Sequence, residues 1–191
     1  MKKDATSSQK LNTLIKERWS PRSFDSNHEI SNENVIAILE AGQWSPSPNN
    51  YQPWRFIIGK KNKENFKIIS ESLNGSNKEW APNASLYIVI NGVMVDMKKN
   101  AITQSLYDCG IASAYMTMEA NHRGYAVHQV GGFDRKEISE KFDLSKEIEP
   151  MSILVIGKQA PPDMLLNQKL IDREKAPRSR KTLNELVIST D

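Results

Sequence analysis

The chain has 191 residues, of which 26 are Lys or Arg and 23 are Asp or Glu, so its formal net charge is +3. Charged residues make up 26% and hydrophobic residues 38% of the sequence, a balance that excludes wholesale disorder. We expect a single domain over 1–191, with a flexible segment at about 1–8 and an extended tail at about 160–191. The small net charge does not by itself indicate nucleic-acid binding, because phosphate affinity requires a continuous basic patch.

The cysteine content and the start of the chain limit the compartment. Cys109 is the only cysteine, which excludes a scaffold of intrachain disulfides. The lysines at positions 2 and 3 are not followed by an apolar run, and no stretch reaches the ~20 apolar residues of a membrane-spanning helix. We therefore expect a cytoplasmic protein with no membrane partner.

The sequence lacks the common patterns for binding metals or for holding phosphates on a glycine-rich loop. The three histidines are scattered, at positions 28, 122 and 128, and Cys109 has no second cysteine to join it. There is neither Gly-x-Gly-x-x-Gly nor a loop that ends in Gly-Lys-Ser/Thr. The sequence predicts no metal site, and a bound phosphate would have to be held by side chains.

Apolar spacing predicts two helices and a loop in the first third of the chain. Apolar residues recur at intervals of three and four over 8–19, which is typical of an amphipathic helix. A second helix begins after Ser31, a residue suited to capping, and stops before Pro46. The following loop, 45–53, contains three prolines that make it stiff, and a stiff polar loop suits a binding surface.

Strands and helices then alternate irregularly. Runs of β-branched and aromatic residues predict the strands, and helical periodicity predicts the helices. The predicted strands are 54–59, 85–90, 125–130 and 151–156, and the predicted helices are 64–73, 97–123 and 134–142. This order favours an α+β fold with mixed strand directions over a doubly wound parallel sheet.

The centre of the long helix and the end of the chain have unusual compositions. Residues 109–114 are small, and either a tightly packed core helix or a subunit contact would explain them. After Pro161-Pro162 the chain is polar and basic, with few core-type residues until 183–188. We expect this tail to lie on a cofactor or on a second subunit.

Basic residues cluster near both ends of the sequence. Lys16, Arg18 and Arg22 lie at the end of the first predicted helix, and six more basic residues follow in the tail. The tail cluster consists of Lys169, Arg173, Lys175, Arg178, Arg180 and Lys181. The two clusters are either solvated faces or parts of one anion site, for which arginine is suited because its planar guanidinium donates two parallel hydrogen bonds to a phosphate.

Four separated segments resemble those of the FMN-dependent nitroreductase family. They are Arg18-Trp19-Ser20-Pro21-Arg22-Ser23-Phe24, Trp44 to Phe56, His128 to Asp134, and Ala176 to Leu183. The second segment, with its Pro-Ser, Asn and Gln-Pro-Trp residues, is the most specific, and the four occur in the expected order. The resemblance implies a nitroreductase-like α/β sandwich, α+β in class, with a mixed, mostly antiparallel sheet flanked by helices. It also implies a C-terminal tail that extends onto the partner subunit.

The resemblance further implies which residues bind FMN. Arg18, Arg22 and Ser20 would hold the phosphate region, and Arg178 and Arg180 would close on the phosphate from the tail. The residues implied to line the isoalloxazine ring are Pro46, Ser47, Asn50, Gln129, Gly131 and Gly132.

The family's chemistry and assembly are likewise implied by the resemblance. Electrons would pass from NADH or NADPH through FMN to a small electron-poor acceptor, such as a nitroaromatic or a quinone, in a ping-pong sequence. The chemistry would be carried by FMN rather than by a catalytic side chain. The resemblance implies a homodimer with FMN at the subunit interface, which favours the subunit contact as the explanation for 108–114.

Two alternatives remain open. The chain could bind FMN in the same fold and catalyse another flavin reaction, such as dehydrogenation or flavin destruction. It could instead be a basic module that binds nucleic acid through its tail, although the tail lacks interleaved aromatic residues. We expect no nucleic-acid partner. Oxidation of NAD(P)H with a nitroaromatic or quinone acceptor tests the first alternative, and salt-sensitive binding to nucleic acid tests the second.

Overall fold

The structure is a computed structural model that describes residues 1–96, 98 and 100–189. In it the chain folds around an antiparallel sheet. The strands are β1 (Trp54–Lys60), β2 (Leu86–Val93), β3 (Ala126–Val130) and β4 (Ile148–Gly157). They lie in the order β1-β2-β4-β3, and the three pairings are all antiparallel. The predicted α+β class and the mostly antiparallel sheet are therefore confirmed.

Eight α-helices accompany the sheet within the described residues. They are α1 (Thr13–Glu17), α2 (Asn32–Gln43), α3 (Glu64–Ser72), α4 (Asn77–Trp80), α5 (Ser105–His122), α6 (Arg135–Lys141), α7 (Gln168–Lys175) and α8 (Leu183–Leu186). Short 3₁₀ turns occur at 48–50, 81–83 and 162–164. In the described residues, no helix combines the length and the apolar character needed to cross a bilayer.

The two central strands are buried on both faces, because helices cover both sides of the sheet. Residues 86–90 of β2 and 153–156 of β4 are fully buried. On one face, alternate residues of these strands pack with α2 and α5, for example Ile88 against Met116. On the other face, Val89 belongs to a core with Ile69 of α3 and Ile138 of α6. These continuous apolar runs are the reason why the sequence identifies both strands.

The long helix begins later than its composition predicts. The predicted start, 97, lies outside the described residues, and α5 runs over Ser105–His122. Before it, the Asp96 carboxylate accepts hydrogen bonds from the backbone N–H groups of Lys98 and Asn100, each at 2.8 Å. An aspartate that bonds nearby backbone in this way stabilises a turn in competition with a helix. The prediction of a helix is therefore wrong at 98 and over 100–104.

The first helix is also shorter than predicted. The Asn12 side chain accepts a hydrogen bond from Leu14 N–H, so that α1 begins only at Thr13, and none of its residues is buried. By contrast, the predicted cap of the second helix is confirmed, since Ser31 Oγ accepts a hydrogen bond from Asn34 N–H at 3.3 Å. Apolar periodicity thus identifies both helices, but only the cap residue fixes where each begins.

The early part of the tail packs on the core of its own chain, although the sequence has few core-type residues there. Leu165 and Leu170 are buried in the same cluster as α3 and α6. From 176 to 189 the tail is exposed apart from a half-buried Arg178, and Leu183 of α8 is 72% exposed. This last part exposes Leu183, Leu186, Val187 and Ile188, whose apolar side chains another surface could cover.

Candidate cofactor site

The residues 18–23, here called the arginine segment, connect α1 to the chain leading into α2. Ser23 C=O accepts a hydrogen bond from Ala160 N–H at 3.0 Å, and Phe24 forms a β-bridge with Gln159 beyond the end of β4. The Phe24 ring is buried and stacks on Trp80, with ring centroids 6.1 Å apart. The end of the segment is therefore anchored to the core.

Two side chains from other elements hold the backbone of the arginine segment. Glu174 of α7 is fully buried, and its carboxylate accepts hydrogen bonds from the N–H groups of Arg22, at 2.9 Å and 3.1 Å, and of Ser23, at 3.2 Å. On β3, His128 Nδ1 lies 2.9 Å from the carbonyl oxygen of Pro21. Because a carbonyl can only accept, Nδ1 carries the proton and donates it.

His128 is a neutral imidazole over the physiological pH range. Burial lowers its pKa to about 4, and the charges of Arg22 and Arg18 act in the same direction, against the hydrogen bonds to the backbone at Pro21 and Ser20. Its ring also packs against Trp80, with the centroids 4.6 Å apart. The arginine segment is thus held from one side by an uncharged donor.

Arginines from the two ends of the sequence converge at this segment. Burial lowers the pKa of Arg18, and the nearby guanidinium groups of Arg178 and Arg180 lower it further. Burial also lowers the pKa of Arg22, while Glu174 opposes that shift. We call Arg18, Arg22, Arg178 and Arg180 the arginine cluster. Across the part of the chain that the structure describes, none of the four side chains lies within 4.0 Å of a carboxylate in an ion pair.

The individual arginines differ in how many of their donors are used. Arg178 Nη1 donates to the carbonyls of Lys3, at 2.7 Å, and Lys16, at 2.9 Å, which ties the tail to the N-terminal residues and α1. Arg18 Nη1 donates to Ser20 Oγ at 3.2 Å. The exposed Arg180 donates only to its neighbour's carbonyl, that of Ser179, at 2.7 Å. The cluster therefore keeps several N–H donors available for a ligand.

The loop 45–53, here called the proline loop, is held in an unusual backbone conformation. Asn49, Asn50 and Gln52 have φ values of 50°, 57° and 48°, in a region that is uncommon for residues other than glycine. Ser47 Oγ accepts a hydrogen bond from Gln52 N–H at 3.0 Å and closes the loop. Pro46 and Asn50 are exposed. Residues 46–52 are exposed or half-buried, and the stiffness that the three prolines indicate stays a prediction.

The glycine pair after β3 borders open space. Neither Gly131 nor Gly132 has a positive φ, so the turn itself does not require glycine. A Cβ placed on Gly131 would meet no atom within 4 Å, whereas one on Gly132 would lie 3.0 Å from the side-chain nitrogen of Asn77. Gln129, just before the pair, donates to Thr117 Oγ1 of α5 at 3.0 Å. A ligand could approach the backbone closely at Gly131.

The structure brings some of the predicted site residues together but not all of them. Arg18, Ser20 and Arg22 lie on the arginine segment, and Arg178 and Arg180 lie close enough to Arg18 to lower its pKa. Among the hydrogen bonds and ion pairs of the described residues, none connects the proline loop to this cluster. Glu174 was not among the predicted residues. Its helical spacing of four from the buried Leu170 is the one sequence signal that it faces the core.

Together, the fold and the cluster define an α+β protein in which cationic side chains from both ends of the sequence gather at one segment. The chain belongs to the nitroreductase family, whose sequence model matches residues 15–158. Among its relatives is YdgI of Bacillus subtilis, a protein named as an NAD(P)H nitroreductase. The two are 28% identical over 182 residues, which cover 77% of this chain and 87% of YdgI.

Solved structures agree with this assignment. A structure described as an oxidoreductase containing FMN superposes with a TM-score of 0.90 at 29% identity, and the match covers 97% of this chain and 94% of that one. A structure from Exiguobacterium sibiricum, described as a nitroreductase in complex with FMN, matches over 100% of both chains with a TM-score of 0.74. Its 22% identity supports the fold alone.

Proposed function

We propose that this protein is an FMN-dependent oxidoreductase that takes electrons from NADH or NADPH and passes them to small electron-poor acceptors, such as nitroaromatics or quinones. Family membership supports this proposal, as do the names of the relatives and the FMN in the structure of highest TM-score described above. Donor and acceptor would use the site in turn, in a ping-pong sequence.

The observation that carries the proposal is the arginine cluster, whose guanidinium groups form no ion pair with a carboxylate in the described residues; the one nearby buried acid, Glu174, is held by backbone amides and offsets only part of the charge of Arg22. Like charges that lie close together without carboxylate partners raise the free energy of the folded chain, and a bound anion removes that cost. A phosphate monoester carries close to two negative charges and three acceptor oxygens, which match the guanidinium donors of this cluster. The 5′-phosphate of FMN therefore fits the side chains present.

Each of the phosphate-binding residues has a distinct role in the proposed site. Arg22 and Arg18 approach the phosphate and ribityl chain from the arginine segment, and the Ser20 hydroxyl adds a hydrogen bond. Arg180, whose guanidinium is exposed, closes on the phosphate from the tail. Arg178 contributes charge while two of its hydrogen bonds hold the N-terminal backbone.

The ring of FMN would lie beyond the phosphate, against backbone that has room for it. The open space at Gly131 supports a close approach of the flavin to this turn. Gln129 and Gly132 flank that turn, and Pro46, Ser47 and Asn50 would border the ring from the proline loop. The bound FMN supplies the redox chemistry, and the chain binds and orients the reactants and places positive charge near the ring.

The surface of α5 supports a homodimer as the working unit. Tyr107 and Tyr115 are 71% and 46% exposed, and the small residues Gly110 and Ala114 lie exposed between them. An exposed apolar strip of this kind marks an interaction surface, and its small residues allow a close helix approach. In the same segment Cys109 and Ala112 are buried in the core. The small residues 109–114 therefore serve the core on one face and, in this proposal, the dimer on the other.

A dimer would also complete the FMN site. Within the described residues, the proline loop makes no hydrogen bond to the arginine cluster of the same chain. In this proposal the loop of one protomer would border the flavin whose phosphate is bound by its partner. The exposed apolar residues of α8 would be covered in the same assembly, with the tail from about 176 extending onto the partner. In this proposal each chain, 1–191, contributes one domain.

Flavin reduction tests the proposed function. The purified protein, reconstituted with FMN, should be yellow, and anaerobic addition of NADH or NADPH should bleach the flavin absorbance. Subsequent addition of a nitroaromatic or quinone should restore the absorbance. A chain that retains no flavin after reconstitution would contradict the proposal. Bound flavin that neither nucleotide reduces would instead favour another flavin reaction in the same fold.

A further inference from the structure

Glu174 is a buried carboxylate whose partners are backbone amides rather than a cation. It is fully buried and receives hydrogen bonds from the N–H groups of Arg22 and Ser23. Within the described ranges, it forms no ion pair with a Lys, Arg or His side chain. Burying an ionised carboxylate is costly unless hydrogen bonds compensate, so the two amides have to remain in place for the charge to be tolerated.

The position of Glu174 in the chain connects the two halves of the arginine cluster. It lies on α7, whose Leu170 is buried in the core, and the tail continues from α7 to Arg178 and Arg180. Its carboxylate reaches the backbone of Arg22, on the other half of the cluster. One buried side chain therefore fixes the tail helix and the arginine segment relative to each other.

We propose that Glu174 is a positioning residue for phosphate binding: by holding the amides of Arg22 and Ser23 from α7, it sets the arginine segment in register with the tail arginines. This inference rests on the proposed function, because the phosphate is that of FMN. Glu174 does not touch the ligand in this arrangement. It acts through the backbone of Arg22.

A role as a negative charge and a role as a positioning residue predict opposite effects of a Glu174 substitution on phosphate binding. If Glu174 acted only as a nearby negative charge, removing that charge would strengthen phosphate binding, since the carboxylate partly offsets the positive potential of Arg22. If it positions the arginine segment, the same change should weaken phosphate binding. A glutamine at this position retains one acceptor oxygen but turns N–H donors toward a backbone amide. The sign of the effect therefore separates the two roles.

The experiment compares the affinities of the full-length protein for FMN and for riboflavin, which lacks the phosphate, by fluorescence titration. The variants are Glu174→Gln and Glu174→Asp. Asp172→Asn serves as the matched control, because Asp172 is an exposed acid on the same helix whose Oδ1 accepts from Gln168 rather than from the arginine segment. Arg22→Ala serves as the reference for loss of a phosphate contact.

Glu174→Gln should weaken FMN binding by about tenfold, the effect of losing one charge-assisted hydrogen bond, with little change for riboflavin. Asp172→Asn should leave the preference for FMN over riboflavin unchanged. Unchanged or tighter FMN binding by Glu174→Gln would overturn the inference, as would an equal loss for both flavins. If Glu174→Gln does not fold, the test uses Glu174→Asp, which keeps the negative charge but has a shorter side chain that reaches the backbone amides less well. An unchanged preference of Glu174→Asp for FMN over riboflavin would overturn the inference.

The reference variant separates failure of this inference from failure of the proposed function. If Arg22→Ala lowers the FMN preference and Glu174→Gln does not, the phosphate site stands and the role of Glu174 is refuted. If Arg22→Ala leaves the preference unchanged, the assignment of the phosphate site itself is wrong, and the inference about Glu174 fails with it.

Discussion

His128 provides a test of the electrostatics around the arginine segment. Its pKa is lowered from 6.5 to about 4 in the folded chain, so the folded state binds a proton less readily than the unfolded state. The contribution of the neutral His128 to the stability of the folded state is therefore fully present above pH 6.5 and is lost as the pH falls toward 4. A shift of this size corresponds to about 3 kcal/mol, as an upper limit because the ring is only partly buried.

The matched variant is His128→Asn, whose side-chain amide can donate to the Pro21 carbonyl in place of Nδ1 but does not titrate. Urea unfolding of both proteins should be followed from about pH 7.5 to about pH 4, at one protein concentration and without flavin. The wild type should lose up to about 3 kcal/mol relative to the variant over this range. If the free energies of unfolding of the two proteins change equally with pH, the neutral state of the partly buried His128 is refuted.

Three further predictions concern Arg180 of the arginine cluster, the buried Cys109 and the buried Asp108 of α5. Arg180→Ala should weaken FMN binding about tenfold in fluorescence titrations, whereas Lys136→Ala, at an exposed lysine of α6, should have no effect; equal affinities would refute the role of Arg180. Burial raises the pKa of Cys109 to about 12, so a folded protein that iodoacetamide labels rapidly at this thiol at pH 8 would contradict its burial. Burial also raises the pKa of Asp108, whose buried Oδ1 has no hydrogen-bond partner among the described residues, so ionisation costs stability as the pH rises above 3.8. The free energy of unfolding of Asp108→Asn relative to wild type, measured by urea unfolding, should therefore be about 1 kcal/mol higher at pH 7 than at pH 3.5. The absence of this difference would refute the raised pKa of Asp108.

The fold was predictable where local pattern and long-range packing agree. The central strands β2 and β4 contain continuous apolar runs, 86–90 and 153–156, because both of their faces are buried there, and the sequence identifies them for that reason. The start of α5 was not predictable from composition, since the hydrogen bonds of Asp96 to a local turn compete with the helix. The packing of the stretch 165–175 was also missed, because Leu165, Leu170 and the partly buried Ile171 are the apolar residues that anchor a mostly polar segment.

The candidate site was predictable to a different extent. The arginines are recognisable by residue type and order, since phosphate binding selects guanidinium groups and the resemblance gives their places. Glu174 is not recognisable in this way. Its partners are backbone N–H groups of residues 22 and 23, more than 150 positions away, and a backbone amide leaves no trace in the identity of its residue. Contacts of this kind require the folded structure.

The arginine cluster and its supports explain why the site is assembled from both ends of the chain. Four guanidinium groups on one short segment would repel one another in every conformation, whereas groups on two segments meet only after the core, with α7 on it, has formed. Glu174 then fixes the backbone of one segment from the helix that leads to the other, and His128 supports the same segment without adding charge. The cost of gathering these charges remains in the flavin-free protein, where the pKa of Arg18 is lowered by burial and by Arg178 and Arg180. In the proposed site, binding of the FMN phosphate would relieve that cost, so affinity for FMN and stability of the tail would be linked through the same contacts.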